Sequence, residues 1–568
     1  MKEKWYKTFL WVIFLGLISS VPLIFSGIDG AGYQDLQFHL SRIEGIKEGL
    51  LAGKFPVMME SNWIHGKGYP VAIFYGDFLL YFPAILRIFG VPVILTYKIF
   101  VFAINVITGL VSYYCFEKIF ENRTIAGETA LLYVTAGYRL MDIYVRAAVG
   151  EYCAFIFFPI LALAMVKMYR EDCKKKEYLR NSLILCLGMS GLLETHLLST
   201  VMAVFLLVIV GLFFFKKTFR PRTLLCIGLA VVETLIVNLY YLVPFLDYYM
   251  NVPVYAGKGG DHSQAMQIRE SGAYVSQLWD FFGHIFGSNV PDKQYRMQLT
   301  LGIPLTLAIL VCLVLFVLKI RKYRVFVVGC MSALCIWMST NLFPWNTLEG
   351  RTHLFKLLAN VQFPWRYLAP AAFFGAVLFG FVFSELHSEK EMSKMFKNVE
   401  FASLLLLSLV SVMIFTSAYK KDYQMVNFKT YSEVDSGYVG ACEYLKDPTG
   451  LEAFEYVPSN DSVEKFEKVE SKDNTLTVFV KNPGESTTIE VEKFNYKGYK
   501  AKDQNGNFLE VSDGYMNILL VNVPAKYEGN ITVYFECPLI WKISFAVSLL
   551  SVICICVYSW KKKGVHNV

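Results

Sequence analysis

The segment "GYQDLQFHLSRIEGI" sets Asp35, His39 and Arg42 at i, i+4 and i+7. On a helix this spacing brings an acid, an imidazole and a guanidinium to one face. A carboxylate can accept a proton from an attacking hydroxyl, with the imidazole orienting it or sharing the proton. A guanidinium offers a planar donor fork that matches a phosphate. Further groups of the same kinds recur along the chain. "MDIYVRAAVGEYCAFIFFP" carries Arg146 and Glu151, a pair whose i to i+5 spacing is poor for a salt bridge on one helix. "LLETHLLST" carries Glu194 and His196, and "ANVQFPWRYLAP" carries Gln362, Trp365 and Arg366. The segment after the trio adds Asp77.

The surrounding elements are apolar. Of 568 residues, 55% are hydrophobic and only 18% charged, against about a quarter in soluble domains. Mean hydropathy is +0.43. Twelve apolar runs approach the roughly 20 residues that span a bilayer: 8–28, 92–116, 124–141, 153–169, 181–197, 199–215, 223–246, 299–319, 324–341, 366–385, 401–418 and 539–559. The basic loops between them, such as "KMYREDCKKKEYLR", "FKKTFRPR" and "KIRKYR", all fall on one side of a twelve-span topology. By the positive-inside rule that side is the cytoplasm, together with both termini. The net charge of +7 is therefore a topology signal, and no nucleic-acid partner is expected. The run 71–90 could also span, but counting it would invert the later loops; a re-entrant or surface-lying segment is expected.

This reading predicts a polytopic α-helical membrane protein with about 12 spans. A transmembrane domain covers 1–418, with a first outer loop at about 29–91. A polar region at 419–538 changes character. "NTLTVFVKN", "STTIEVEKF" and "GNITVYFE" alternate at period two, and "KDQNGNF" and "VSDGY" supply turns. A small extracytoplasmic β-sandwich is expected there, followed by a last span and basic tail at 539–568. Of 12 cysteines, only Cys442 and Cys537 lie in the polar region, where they could pair. No cysteine or histidine spacing fits zinc.

Each charged motif has a plainer alternative. The helix 36–51 could be an amphipathic surface helix with solvated charges, Arg146–Glu151 a structural ion pair, His196 a packing residue, and Trp365–Arg366 an interfacial anchor. Taken together, acids, His and Arg gathering on the outer face describe a cavity for an anionic lipid head group and a proton acceptor. A lipid-phosphate sugar donor and a hydroxyl acceptor would use that equipment.

"DLQFHLSRIEGIKEGLLAGKFPV", "GYPVAIFYGDFLLYFPAILRIFG", "YRLMDIYVRAAVGEYCAFIFFPI", "LLETHLLS", "NVQFPWRYL" and "VGACEYL" resemble, in that order, the bacterial YfhO-like membrane proteins. That family also carries the label of a domain related to 6-pyruvoyl-tetrahydropterin synthase. The resemblance implies a GT-C architecture and a glycosyltransferase of the bacterial plasma membrane with an extracytoplasmic site. Its donor would be a polyprenyl-phosphate-linked sugar and its acceptor an envelope polymer, such as teichoic acid, or a lipid. It implies a catalytic acid at Asp35 with His39 beside it. Arg42, Arg146 and Arg366 are then candidates for the donor phosphate, with Asp77, Glu151, His196, Gln362 and Trp365 as further site residues. Gly76 stands where the family pattern has proline, and Lys446 replaces the proline of its "EYLP" element. The first outer loop has no DxD pair, so a divalent metal is unsupported. The rival readings are a flippase or transporter of lipid-linked sugars, for which no inverted repeat is visible, and a non-catalytic envelope assembly protein.

Overall fold

A computed structural model describes residues 2–25, 35–254, 271–282, 297–349, 351, 353–359, 361–388, 393–422, 443–446 and 459–564. The chain divides into two compact units. One comprises Met1–Leu36, Tyr97–Thr234 and Asp261–Thr430; the other comprises Gln37–Thr96, Leu235–Gly260 and Tyr431–Val568.

Where they are described, all twelve apolar runs are mostly helical. Among the described residues, five helices are long and apolar enough to cross a membrane: Val93–Phe120, Val149–Arg170, Pro364–Ser388, Lys394–Ala418 and Leu539–Ser559. A sixth candidate is the pair Pro221–Val237 and Leu239–Asn251, bent by 75°. Leu197–Phe213, Ile303–Leu318 and Tyr323–Met338 are shorter apolar helices. Residues 71–90 are not one helix. They break into Val71–Phe74, a 3-10 turn Phe78–Leu80, and Tyr81–Ile88, with Tyr75–Asp77 between the first two.

In the first unit the breaks matter most. Asn122 caps Arg123–Val134, its side chain accepting from the amides of Thr124 and Ile125. The chain then breaks at Thr135–Ala136 and restarts as Gly137–Tyr144. The Gly137 amide donates to the Leu301 carbonyl at 2.9 Å. A Cβ at 137 would lie 2.8 Å from the Gly302 nitrogen and 2.9 Å from the Thr300 oxygen, so glycine permits this backbone-to-backbone approach. A buried polar network fixes the same helix from its other side. Arg139 donates to Asn105 Oδ1 at 2.8 Å and Thr108 Oγ1 at 3.2 Å. Asn105 in turn donates to Ser20 Oγ and to Tyr144 Oη, and the Tyr144 hydroxyl donates to the Ser19 carbonyl. Arg139 Nε has no partner among the described residues, but through these bonds an otherwise costly interior charge ties three helices together.

Among the described residues, the second unit contains eight strands in two antiparallel sheets. β1 (Lys465–Lys472), β2 (Thr475–Asn482), β4 (Tyr499–Asp503), β5 (Phe508–Leu509) and β8 (Tyr527–Phe535) form a sheet ordered β1-β2-β8-β4-β5. β3 (Thr487–Phe494), β6 (Val511–Asp513) and β7 (Ile518–Val523) form the other, ordered β3-β7-β6. The three alternating segments read from the sequence are β2, β3 and β8. The "VSD" of "VSDGY" is a strand, and its turn begins at Gly514. The inward residues of both sheets share one core, which includes Val478, Val480, Ile489, Val521, Ile531 and Val533. The first outer loop joins that core through Trp63, Tyr69 and Phe74. Polar contacts lock it there. Asn474 Nδ2 donates to the Met59 carbonyl at 2.7 Å, Lys493 Nζ to the Gly66 carbonyl at 2.8 Å, and the Phe494 amide to the Lys67 carbonyl at 3.0 Å. The Cys442 end of the suggested pairing with Cys537 lies outside the described residues.

Candidate functional site

The first unit holds a buried cluster of charge. Helix Gly137–Tyr144 carries Asp142, and the next turn carries Arg146. The chain then turns through Ala147, which adopts a positive φ of 52°, and starts helix Val149–Ala154 with Glu151. A non-glycine residue in that region is strained and marks a position the fold holds for a reason. The break is what makes the poor i to i+5 spacing work. Arg146 Nη1 donates to Asp142 Oδ1 and to Glu151 Oε2, both at 2.7 Å. Tyr138, one helical turn before Asp142, donates its hydroxyl to Glu151 Oε1 at 2.6 Å.

Arg366 enters from the 3-10 turn Pro364–Tyr367. Its Nε lies 3.1 Å from Glu151 Oε2. Its Nη1 donates to the Val361 carbonyl at 3.0 Å and to Gln362 Oε1 at 2.7 Å. The guanidinium sits 5.2 Å from the Phe363 ring, which stacks on Trp365 at 4.3 Å. Gln362 and Trp365 thus shape the arginine's seat. Both arginines are only partly engaged. Among the described residues nothing bonds Nε or Nη2 of Arg146, or Nη2 of Arg366.

Asp35 joins this cluster as the turn residue before helix Leu36–Leu51. Its amide donates to the Arg146 carbonyl at 3.0 Å. Burial pushes its carboxyl above the ordinary aspartate value; Arg146 and Arg366 oppose that shift and Glu151 adds to it. His196 stands between helices Asn181–Thr195 and Leu197–Phe213 and is within electrostatic reach of Glu151 and Arg366. Its Nδ1 accepts from the Ser199 amide, so it also caps the second helix.

His39, Arg42 and Asp77 belong to the second unit. Arg42 is buried and donates Nη2 to the carbonyls of Tyr75 and Gly76 at 2.8 and 2.9 Å. Its guanidinium lies 4.3 Å from the Tyr75 ring, and its Nη1 is 3.5 Å from His39 Nδ1. The arginine therefore pins the break at Tyr75–Asp77. Burial pushes the Asp77 carboxyl up to about 7 against the pull of Arg42. Glu60, accepting from Trp63 Nε1 at 2.6 Å, is pushed by burial up to about 8.

The structure thus collects Asp35, Arg146, Glu151, His196, Gln362, Trp365 and Arg366 in one unit, and His39, Arg42 and Asp77 in the other. Sequence reasoning missed Asp142 and Tyr138. Their signal was present, because Tyr138, Asp142 and Arg146 repeat at i, i+4 and i+8. Among the described residues no three His, Cys, Asp or Glu side chains converge as a metal would require.

No protein-family model matches the chain. An uncharacterized protein of Lactococcus lactis subsp. cremoris (strain MG1363) is 20% identical over 361 residues, covering 60% of this chain and 55% of that protein. Two solved structures of the archaeal oligosaccharyltransferase of Archaeoglobus fulgidus also align. The enzyme AglB in complex with an inhibitory peptide and a dolichol-phosphate gives 13% identity and a TM-score of 0.38 over 75% of this chain and 57% of that one. The enzyme tethered to an acceptor peptide containing the NVT sequon gives 12% and 0.41 over 74% and 56%. The chain spans about half the length of each of these proteins.

Proposed function

We propose that the protein is a membrane glycosyltransferase of GT-C type, akin to the YfhO-like proteins its motifs resemble. It moves a sugar from a polyprenyl-phosphate carrier to an envelope polymer or lipid on the extracytoplasmic side of a bacterial plasma membrane. In this reading all twelve apolar runs cross or enter the bilayer, both termini are cytoplasmic, and the β-rich unit helps hold the acceptor. The observation that carries it is the Asp35 cluster. Asp35, whose carboxyl has a raised proton affinity, is bonded through its backbone amide to Arg146, and among the described residues Arg146 and Arg366 both keep unengaged guanidinium donors.

The chemistry follows from that placement. The acceptor oxygen attacks the anomeric carbon as the bond to the carrier phosphate oxygen breaks. Asp35 takes the hydroxyl proton, a task favoured by a pKa raised toward the working pH. Negative charge grows on the departing phosphate, where Arg146 and Arg366 act more strongly than in the ground state. Glu151 holds both arginines in place through one oxygen. Direct attack on a single face inverts the anomeric centre. Arg42 and His39 serve by fixing the segment that carries Asp77.

The test uses purified protein in lipid nanodiscs with a panel of radiolabelled polyprenyl-phosphate sugars and an envelope fraction as acceptor. Wild type transfers label, while Asp35→Asn still binds donor but loses at least about a hundredfold in rate, the usual scale of a general base. Normal transfer by Asp35→Asn overturns the assignment of the base. Donor binding by wild type without any transfer overturns the enzyme reading.

A further inference from the structure

A second feature of the first unit has no part in this chemistry. Helices Phe158–Arg170, Leu197–Phe213, Tyr323–Met338 and Leu368–Ser388 line a half-open cavity of about 240 Å³. Its walls are almost entirely apolar, including Leu161, Met165, Leu206, Val327, Phe373 and Phe381. Its polar groups gather at one end, where Arg170, Lys217 and Arg324 line it. Along one wall the lining runs from Phe158 to Arg170, about 18 Å at 1.5 Å per residue. Along another it runs from Pro370 to Phe381, about 16 Å on the same rise. Half of a roughly 30 Å hydrocarbon core is about 15 Å, so the cavity has the depth of one leaflet.

The basic end is built, and among the described residues its three cations meet two carboxylates, Glu385 and Glu121. Arg170 Nη1 is anchored on the Ile119 carbonyl at 2.6 Å, and Lys217 Nζ on the Tyr169 carbonyl at 3.0 Å. Arg324 pairs with Glu385 and lies 5.2 Å from the Phe381 ring. Glu121 reaches Arg170 only at 3.6 Å. Arg170 and Arg324 stand close enough to repel one another. All three cations come from loops that the positive-inside rule assigns to the cytoplasm.

We propose that this cavity holds one acyl chain of an anionic glycerophospholipid of the inner leaflet, its phosphate seated between Arg170, Lys217 and Arg324. An apolar slot one leaflet deep with cations at one end fits a lipid tail and its head group. A free anion would leave the slot empty, and a zwitterionic lipid would bring a second cation to a basic rim.

Delipidated protein in detergent is titrated with dioleoyl phosphatidylglycerol or dioleoyl phosphatidylcholine, and retained lipid is counted by native mass spectrometry. Wild type is expected to hold one phosphatidylglycerol under conditions that strip phosphatidylcholine. Filling the slot with Ala162→Phe or Val210→Trp should remove that one equivalent. Lys217→Gln and Arg324→Gln should each weaken retention roughly fivefold, the scale of one basic residue at an anionic lipid surface. Gel filtration and thermal melts check folding, and two slot-filling variants guard against the failure of either one. Equal retention of the two lipids, retention unchanged by both fillings, or full displacement by excess inorganic phosphate would each overturn the proposal.

Discussion

Replacing Glu151 by Gln keeps the shape of the side chain and removes one charge, and the cluster around it sets what that should do. Oε2 of Glu151 receives Arg146 Nη1 at 2.7 Å and faces Arg366 Nε at 3.1 Å. An amide nitrogen at that position would oppose two donors with a third, while Oε1 could still accept from Tyr138. Arg146 would retain Asp142 as a partner, but Arg366 would lose its only carboxylate among the described residues. Taking one member from a buried pair costs about 3–5 kcal/mol, because the other charge is left uncompensated. For a cooperative unit of this size that is a fall of about 4–7 °C in melting midpoint. Asp142→Asn is the internal comparison. Asp142 Oδ1 accepts one bond from Arg146 and Oδ2 has no partner among the described residues. Asn can keep the acceptor and neutralise the unpartnered oxygen, so its loss should stay below about 1.5 kcal/mol, the scale of one hydrogen bond. The assay is thermal unfolding of the three proteins in the same detergent, with Arg366→Gln and the double variant Glu151→Gln/Arg366→Gln completing a cycle. A coupling of about 1 kcal/mol or more between positions 151 and 366 is expected for groups in one network. Asp142→Asn proving as damaging as Glu151→Gln, or additive losses in the cycle, would show that Glu151 does not hold the two arginines together.

Three further outcomes can be checked independently. Gly137→Ala should destabilise by about 1–3 kcal/mol, because its Cβ meets backbone atoms that cannot swing aside; Gly211→Ala, whose nearest contact is Thr218 Cγ2 at 3.4 Å, should be neutral or gain up to about 1 kcal/mol of helix propensity. Burial lowers the Lys493 ammonium to about 8. The folded state therefore releases its proton before the unfolded chain does near 10.4, and stability should rise between pH 8 and 10.4 by up to about 3 kcal/mol. That rise should vanish in Lys493→Met, measured as the difference in melting midpoint between the two proteins across the range. Glu60 runs the opposite way. With its carboxyl raised to about 8, folding favours the protonated form and stability falls as pH climbs from about 4.3 to 8. Glu60→Gln, which can still accept from Trp63, should flatten that slope and melt higher than wild type at pH 7.

What the sequence made legible follows from period and charge. The alternating valines and threonines of β2, β3 and β8 announce strands, because only a pleated chain buries every second residue. The apolar runs announce helices just as clearly. Period does not record where a helix stops and turns, and the candidate site is built on such stops. Asp35, His39 and Arg42 have the spacing of one helical face, yet Asp35 lies in the turn before the helix, with its amide on Arg146. Arg146 and Glu151 looked badly spaced for a pair because the rule assumes an unbroken helix. The turn at Ala147 and the glycine contact at Gly137 invalidate that assumption, and the second depends on Thr300–Gly302, some 160 residues away in the chain. An i, i+4 rule can propose Tyr138, Asp142 and Arg146 as one stripe, but it cannot bring Arg366 to it. That step is made by the 3-10 turn Pro364–Tyr367, where proline starts a helix that the preceding Gln362, at a φ of 68°, could not have continued from. The chemistry proposed for this molecule therefore sits where its regular elements end.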